Sequence, residues 1–189
     1  MEEIIKIGYN RLPVVIGLNG ETKKEICKRT KTNLDIDSHT GEIIITSDES
    51  FFEIHLAKNI ITAIGRGFSP ENAFKLLNDD FILEIIYLDD FVNDSRERHT
   101  QIKGRVIGRE GKIKKMIESR LKCTLAIYGK TVSIIANQDN MKTIKLIIEK
   151  ILSGARHSSV FKLLKQADFK PEGYSPVKEK GDIDNISFP

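Results

Sequence analysis

A chain of 189 residues, 40% hydrophobic and 30% charged, can bury the core of one domain or of two small ones. It holds no apolar run near the ~20 residues of a membrane-spanning helix. The acidic start MEEIIKIGYN lacks the parts of a signal peptide, so a cytoplasmic protein without membrane contact is expected. Two cysteines, Cys27 and Cys123, are too few for a disulfide framework or a zinc site and suit small core residues.

In chain order, EIIKIGY (3–9) reads as a strand, followed by a short helical segment and the glycine pair of VIGLNGETKKEI (15–26). An amphipathic helix follows the pair. NLDID and EIIIT then make two strands joined through the turn SHTG (38–41), and residues 50–64 a long helix that Gly65 ends. A short helix carries FKLL (74–77). The order then begins again. FILEIIYL (81–88) is a strand, VIGREGKIKKMI (106–117) holds the second glycine pair, and TLAIY and TVSIIA are strands around a Gly-Lys turn. Residues 139–153 form a long helix with Met141, Ile144, Ile148 and Ile151 on one face, ended by Gly154, and FKLL recurs at 161–164. Three blocks thus repeat in one order at offsets of 91, 89 and 87, which is a duplicated domain and not a solenoid unit. The reading is α+β, with one copy over 1–80, a second over 81–166, and a tail, 167–189, expected to lack ordered structure. The second copy carries an insertion, DDFVNDSRERHT, expected as an exposed polar loop. Segment 65–80 is too apolar for a free linker and is expected to join the copies.

Net charge is +3, unevenly spread: residues 1–80 carry −3, residues 81–166 carry +8, and the tail −2. A polyanion is therefore drawn to the second copy. Around its loop, Lys103 to Lys122 hold eight cations against Glu110 and Glu118.

A G-x-x-G between two helices lets backbone take positive φ and lets a phosphate approach a helix N-terminus. In the second copy Gly108, Arg109, Glu110 and Gly111 form the loop, and Arg105, Lys112 and Lys115 add charge that is attracted to nucleic acid. Ile113 and Ile117 after the loop, with Leu125, Ile127 and Tyr128 on the next strand, can floor a groove for flat bases; the same residues also suit a core. The first loop, Gly17, Leu18, Asn19 and Gly20, keeps the glycines without a central cation, so weaker binding or a structural role is expected there.

V-I-G-x-x-G in this order of elements resembles the KH domain of type I, βααββα, here with an extra short C-terminal helix. GETKKEI, LDIDSHTGEI, IGRGFSPENAFKLL, YGKTVSII and GARHSSVFKLL resemble archaeal relatives of the conserved pre-ribosomal KH protein over residues 3–166. The resemblance implies binding of single-stranded rRNA at the 3′ end of the small-subunit RNA. It makes the second KH domain the main reader, through Ile107, Gly108, Arg109, Glu110, Gly111 and Lys112. The implied partners are the 3′-end endonuclease, the rRNA dimethylase and the alpha subunit of translation initiation factor two. No catalysis, cofactor or metal is expected: Asp35/Asp37 and Asp89/Asp90 suit surface acids, and His39, His55, His99 and His157 show no ligand spacing. The competing reading is a protein-interaction scaffold with little RNA binding.

Overall fold

The computed structural model describes residues 1–92 and 95–167, so the expectation for the tail lies outside the described residues save for Ala167. The first half runs β1 (Glu2–Lys6), α1 (Leu12–Ile16), α2 (Glu21–Thr30), β2 (Asn33–Ile36), β3 (Glu42–Thr46), α3 (Phe51–Gly65) and α4 (Pro70–Ala73), which passes into a 3-10 turn over Phe74–Leu77. The second half runs β4 (Phe81–Tyr87), α5 (Arg96–Ile107), α6 (Lys112–Leu121), β5 (Thr124–Tyr128), β6 (Thr131–Asn137), α7 (Gln138–Leu152) and α8 (His157–Ala167). It is a mixed α/β structure with two antiparallel three-stranded sheets, ordered β1-β3-β2 and β4-β6-β5. No helix among the described residues is long and apolar enough to cross a membrane.

Strand alternation decides what each sheet covers. In the first sheet Ile43 and Ile45 are buried against α1, α2 and α3, while the opposite face shows Ile4, Lys6, Glu42 and Asp35. In the second sheet Ile86, Leu125, Val132, Ile134 and Ala136 pack with that half's own helices. Its other face is also covered. Phe81, Leu83, Ala126 and Ile135 join the first half's core with Phe68, Ala73 and Leu76. The segment at 65–80 is therefore the joint between the halves, and β6 is buried on both faces because of it.

A close approach fixes the joint. Gly67 has φ of 104°, and a Cβ there would stand 2.7 Å from Tyr128 Cβ. Lys75 Nζ donates to Thr124 Oγ1 at 2.9 Å across the same seam.

Two sequence expectations need correction. The first is the glycine ending α3. Gly67, not Gly65, takes the left-handed position, with its N–H on Ile64 O at 3.0 Å and Phe68 N–H on Ala63 O at 3.2 Å. Its counterpart is Gly154, which bonds Ile151 O in the same way while Ala155 N–H bonds Lys150 O. Gly65 stays helical and gives room to Ile7, whose side chain lies 3.1 Å from where a Cβ would sit. The second is the insertion. Arg96 to Thr100 are the first turns of α5, and His99 is buried, its Nε2 2.9 Å from Asp89 Oδ1 in a contact without hydrogen-bond alignment. A polar sequence hid these turns, since between Arg96 and Thr100 His99 alone is buried.

The halves share a further device that sequence spacing conceals. Arg11 Nε donates to Ile64 O at 2.8 Å and its Nη2 to Phe68 O at 2.6 Å. Arg105 Nε donates to Ile151 O at 3.2 Å and its Nη2 to Ala155 O at 2.5 Å. The acceptors are equivalent in the repeat; the arginines are not, being six and three residues before their glycine pairs. Each guanidinium closes carbonyls left open at the end of a long helix. Charge-assisted bonds of this kind contribute about 1.5–3 kcal/mol. Arg105→Ala is expected to lower stability by about 2–3 kcal/mol in urea titrations. Arg105→Lys should recover little, because an ammonium has no fork to span two carbonyls.

Candidate nucleic-acid interface

The two glycine loops are built to one plan. Gly108 has φ/ψ of 73°/172°, Glu110 55°/25° and Gly111 73°/11°. Gly17, Asn19 and Gly20 repeat these values at 74°/173°, 52°/25° and 78°/15°. Gly108 N–H bonds Gly104 O at 2.8 Å, ending α5, and Gly111 N–H bonds Gly108 O at 3.1 Å. The loop then enters α6: Lys112 N–H closes the loop on Arg109 O, and the N–H groups that follow in the first turn have no acceptor within the helix, which favours an anion there.

Three cations stand on the basic loop and on the start of α6. Arg109, Lys112 and Lys115 are all exposed, while Ile113, Ile117 and Leu121 turn from them into the core. Lys112 Nζ is 3.2 Å from Glu110 Oε2, an exposed pair of small worth. Lys114 lies 3.8 Å from Glu118.

The residues proposed as a groove floor are divided by the fold. Ile113, Ile117 and Leu125 are buried core. Ile107, at the end of α5, is exposed and Ile127, on β5, is half-buried. Tyr128 points to the other face of β5, toward Gly67 and Arg11, and is not in the groove. Arg105, singled out by charge, holds α7 instead of facing the loop's surroundings.

β5 is an edge strand, so its outer edge carries backbone groups that no strand pairs. Leu125 N–H, on that edge, donates to Glu118 Oε1 at 2.9 Å. Antiparallel alternation places Ile127 N–H and C=O on the same open edge, where a base edge can pair with them. Glu118 was missed by sequence reasoning as a mere counter-charge. Its first-half equivalent is Cys27, which has no such acceptor.

The first loop differs in chemistry at each exposed position. Leu18 stands where Arg109 stands and is 78% exposed, and Asn19 replaces Glu110. Asn accepts the left-handed conformation more readily than Glu does. Glu110→Asn is thus expected to stabilise the protein by about 1 kcal/mol in thermal melts and to tighten polyanion binding, by removing a carboxylate beside Lys112.

Cys123 is buried, and desolvation pushes its thiol up to about 12, so it is a packing residue without nucleophilic character. Asp37 is held low by the His39 N–H first and then by the Thr40 hydroxyl, in the β2–β3 turn, a structural use of that acid. Among the described residues no three His, Cys, Asp or Glu side chains gather as a metal-holding group.

Comparison with known proteins follows the same lines. The family model of the second KH domain of PNO1-type proteins, a eukaryotic-type KH domain (KH domain type I), matches residues 82–168. The KH domain-containing protein MJ0443 of Methanocaldococcus jannaschii is 35% identical over 188 residues, 97% of this chain and 82% of that protein. The crystal structure of Dim2p from Pyrococcus horikoshii OT3 matches with 45% identity and a TM-score of 0.81, over 88% of this chain and 99% of that one. Dim2p in the a/eIF2alpha–aDim2p–rRNA complex from the same organism matches with 44% identity and a TM-score of 0.83, over 89% and 94%. With relatives this similar over nearly their whole length, and a type I KH match on the half that carries the basic loop, the chain belongs to the Dim2p/PNO1-type family of KH-domain proteins.

Proposed function

We propose that this protein binds single-stranded RNA at the 3′ end of the small-subunit rRNA, as a non-enzymatic factor in ribosome assembly. In this reading both halves are type I KH domains, residues 1–80 and 81–166, and the second is the main reader. The observation that carries it is the pairing of identical loop geometry with opposite chemistry: Arg109, Lys112 and Lys115 are exposed on the second loop, Leu18 and Asn19 on the first. The groove takes about four nucleotides. Arg109, Lys112 and the N-terminus of α6 hold phosphates, Ile107 and Ile127 receive base faces, and the open edge at Ile127 reads base edges. A relative 44% identical, in a complex with rRNA, supports rRNA binding.

That complex also contains a/eIF2alpha, which supports the alpha subunit of initiation factor two as a partner. The 3′-end endonuclease and the rRNA dimethylase are proposed on resemblance alone. The first half's own loop, which exposes Leu18, and its surface at Ile4, Phe51 and Phe52 favour protein contact over RNA contact. A crosslinking map of the protein on whole-cell RNA tests the assignment. Crosslinks are expected between residues 107–115 and the 3′ end of the small-subunit rRNA. A map dominated by the first half, or by unrelated RNA, rejects it.

A further inference from the structure

Tyr87 and Tyr128 both pair with Thr131, one from each side of β6, so the two rings share one row across the second sheet. They lie on the face that meets the first half, at its rim. Tyr87 stays 45% exposed and Tyr128 39%. Each ring carries an arginine of the first half: Arg66 stands 5.4 Å from the Tyr87 centroid and Arg11 5.6 Å from that of Tyr128. Arg66 Nη2 also donates weakly to Tyr87 Oη at 3.4 Å. Core packing alone does not ask for this row. The equivalent row of the first sheet is Lys6, Glu42 and Asp37, with no aromatic residue.

The row is continuous with the groove. Ile127 faces the groove side of edge strand β5, and Tyr128, next in the chain, faces the opposite side. Gly129, in the two-residue turn beyond, accepts from Lys103 Nζ at 3.2 Å, which ties the turn to α5. Lys103 lies five residues before Gly108, about 7.5 Å of helix, near the span of one nucleotide. A strand leaving the loop along α5 therefore reaches this turn and can cross the edge of β5 onto the tyrosines. Asp89, two residues after Tyr87, is paired with Lys130 at 3.5 Å and lies 2.9 Å from His99 Nε2.

We propose that Tyr87, Tyr128 and Arg66 form a stacking platform, at the junction of the two halves, for nucleotides that run past the second loop's groove. The occupant is single-stranded RNA. Aromatic rings paired with guanidinium planes offer π-faces and positive charge together, which suits bases joined by phosphates and does not suit an apolar protein surface. Both halves contribute, so the platform exists only when the halves are docked. It gives the duplicated architecture a role in RNA binding even though the first loop lacks a cation.

The inference rests on the RNA-binding reading above, and the experiment separates the two. Affinity is measured by fluorescence anisotropy for oligonucleotides of ~4 and ~8 nucleotides from the small-subunit rRNA 3′ end, with the full chain and with Tyr87→Ala, Arg66→Ala and Tyr87→Phe. Tyr87→Ala and Arg66→Ala are expected to weaken the longer oligonucleotide about tenfold or more while leaving the shorter one unchanged. Tyr87→Phe, which keeps the ring, should bind both as the parent does. Equal effects on both lengths, or none on either, overturn the platform while the groove stands. If the parent binds neither oligonucleotide, the RNA reading and the platform fall together. If the alanine variants lose only the a/eIF2alpha subunit, the surface is a protein contact and the proposal is wrong.

Discussion

Arg109→Asp combined with Lys112→Asp should reduce affinity for a short single-stranded RNA by about 100-fold or more at low salt. Both side chains are exposed, and among the described residues the ion pair that Lys112 makes is with the neighbouring Glu110, at 3.2 Å. The change should therefore leave the melting temperature within a degree or two. Its effect on RNA is large because the substitution does two things at once. It deletes two phosphate contacts, and it places two carboxylates where the RNA backbone must pass, beside Glu110. For single strands each lost phosphate contact lowers the slope of log K against log salt by about 0.7, so the double variant should show a slope smaller by about 1.4. The salt titration matters as much as the affinity. A loss of binding with an unchanged slope would mean that the two residues shape the loop and do not neutralise phosphate. Lys23→Asp with Lys24→Asp, on the equivalent helix of the first half, is the matched control and should cost far less. If the two pairs prove equal, the charge division between the halves does not govern RNA binding.

The repeat and the loops were legible because both depend on short-range chemistry. A glycine pair between amphipathic helices has few backbone solutions, and β3 and β5 match the residues expected for them, 42–46 and 124–128. Long-range partners were not legible. Arg105 and Arg109 look alike in a list of cations, yet one is folded onto Ile151 and Ala155 carbonyls and the other is exposed on the loop. Only the path of α7 decides between them. Strand parity misled at Tyr128: it was grouped with Ile127 as groove floor, although adjacent strand residues must face opposite ways. The apolar outer face of the second sheet was visible as Phe81, Leu83 and Ile135. It made sense only once the first half was seen to cover it. The extension of α5 was missed for a related reason, since a helix that buries a histidine on a mostly polar face has weak apolar periodicity.

The two glycines of the second loop should fail in different ways, and the difference separates fold from function. Gly108 combines φ of 73° with ψ of 172°, a region open to glycine and strained for any other residue. A Cβ there would also stand 2.2 Å from Ile113 Cγ1 and 2.9 Å from Ile113 N. Ile113 belongs to the core and lies in the first turn of α6, so it cannot move aside without shifting the helix. Strain of about 1–3 kcal/mol and overpacking of similar size make Gly108→Ala destabilising by about 3–5 kcal/mol, read from urea unfolding. Gly111 is different. Its φ/ψ of 73°/11° is left-handed but accessible to asparagine, and nothing lies within 4 Å of its missing Cβ. Gly111→Asn should therefore cost about 1 kcal/mol or less and leave the loop standing. The space that Cβ enters is where the groove model seats a phosphate, so Gly111→Asn should weaken RNA binding out of proportion to its small effect on stability. The first half provides the internal comparison. Gly17 is crowded in the same way, with Thr22 Oγ1 2.4 Å and Thr22 N 2.6 Å from a built Cβ, whereas Gly20 is open. Gly17→Ala should destabilise as Gly108→Ala does, and Gly20→Asn should be silent in both assays. If Gly111→Asn binds RNA like the parent, the backbone of this loop does not approach the phosphate, and the binding would have to come from side-chain charge alone.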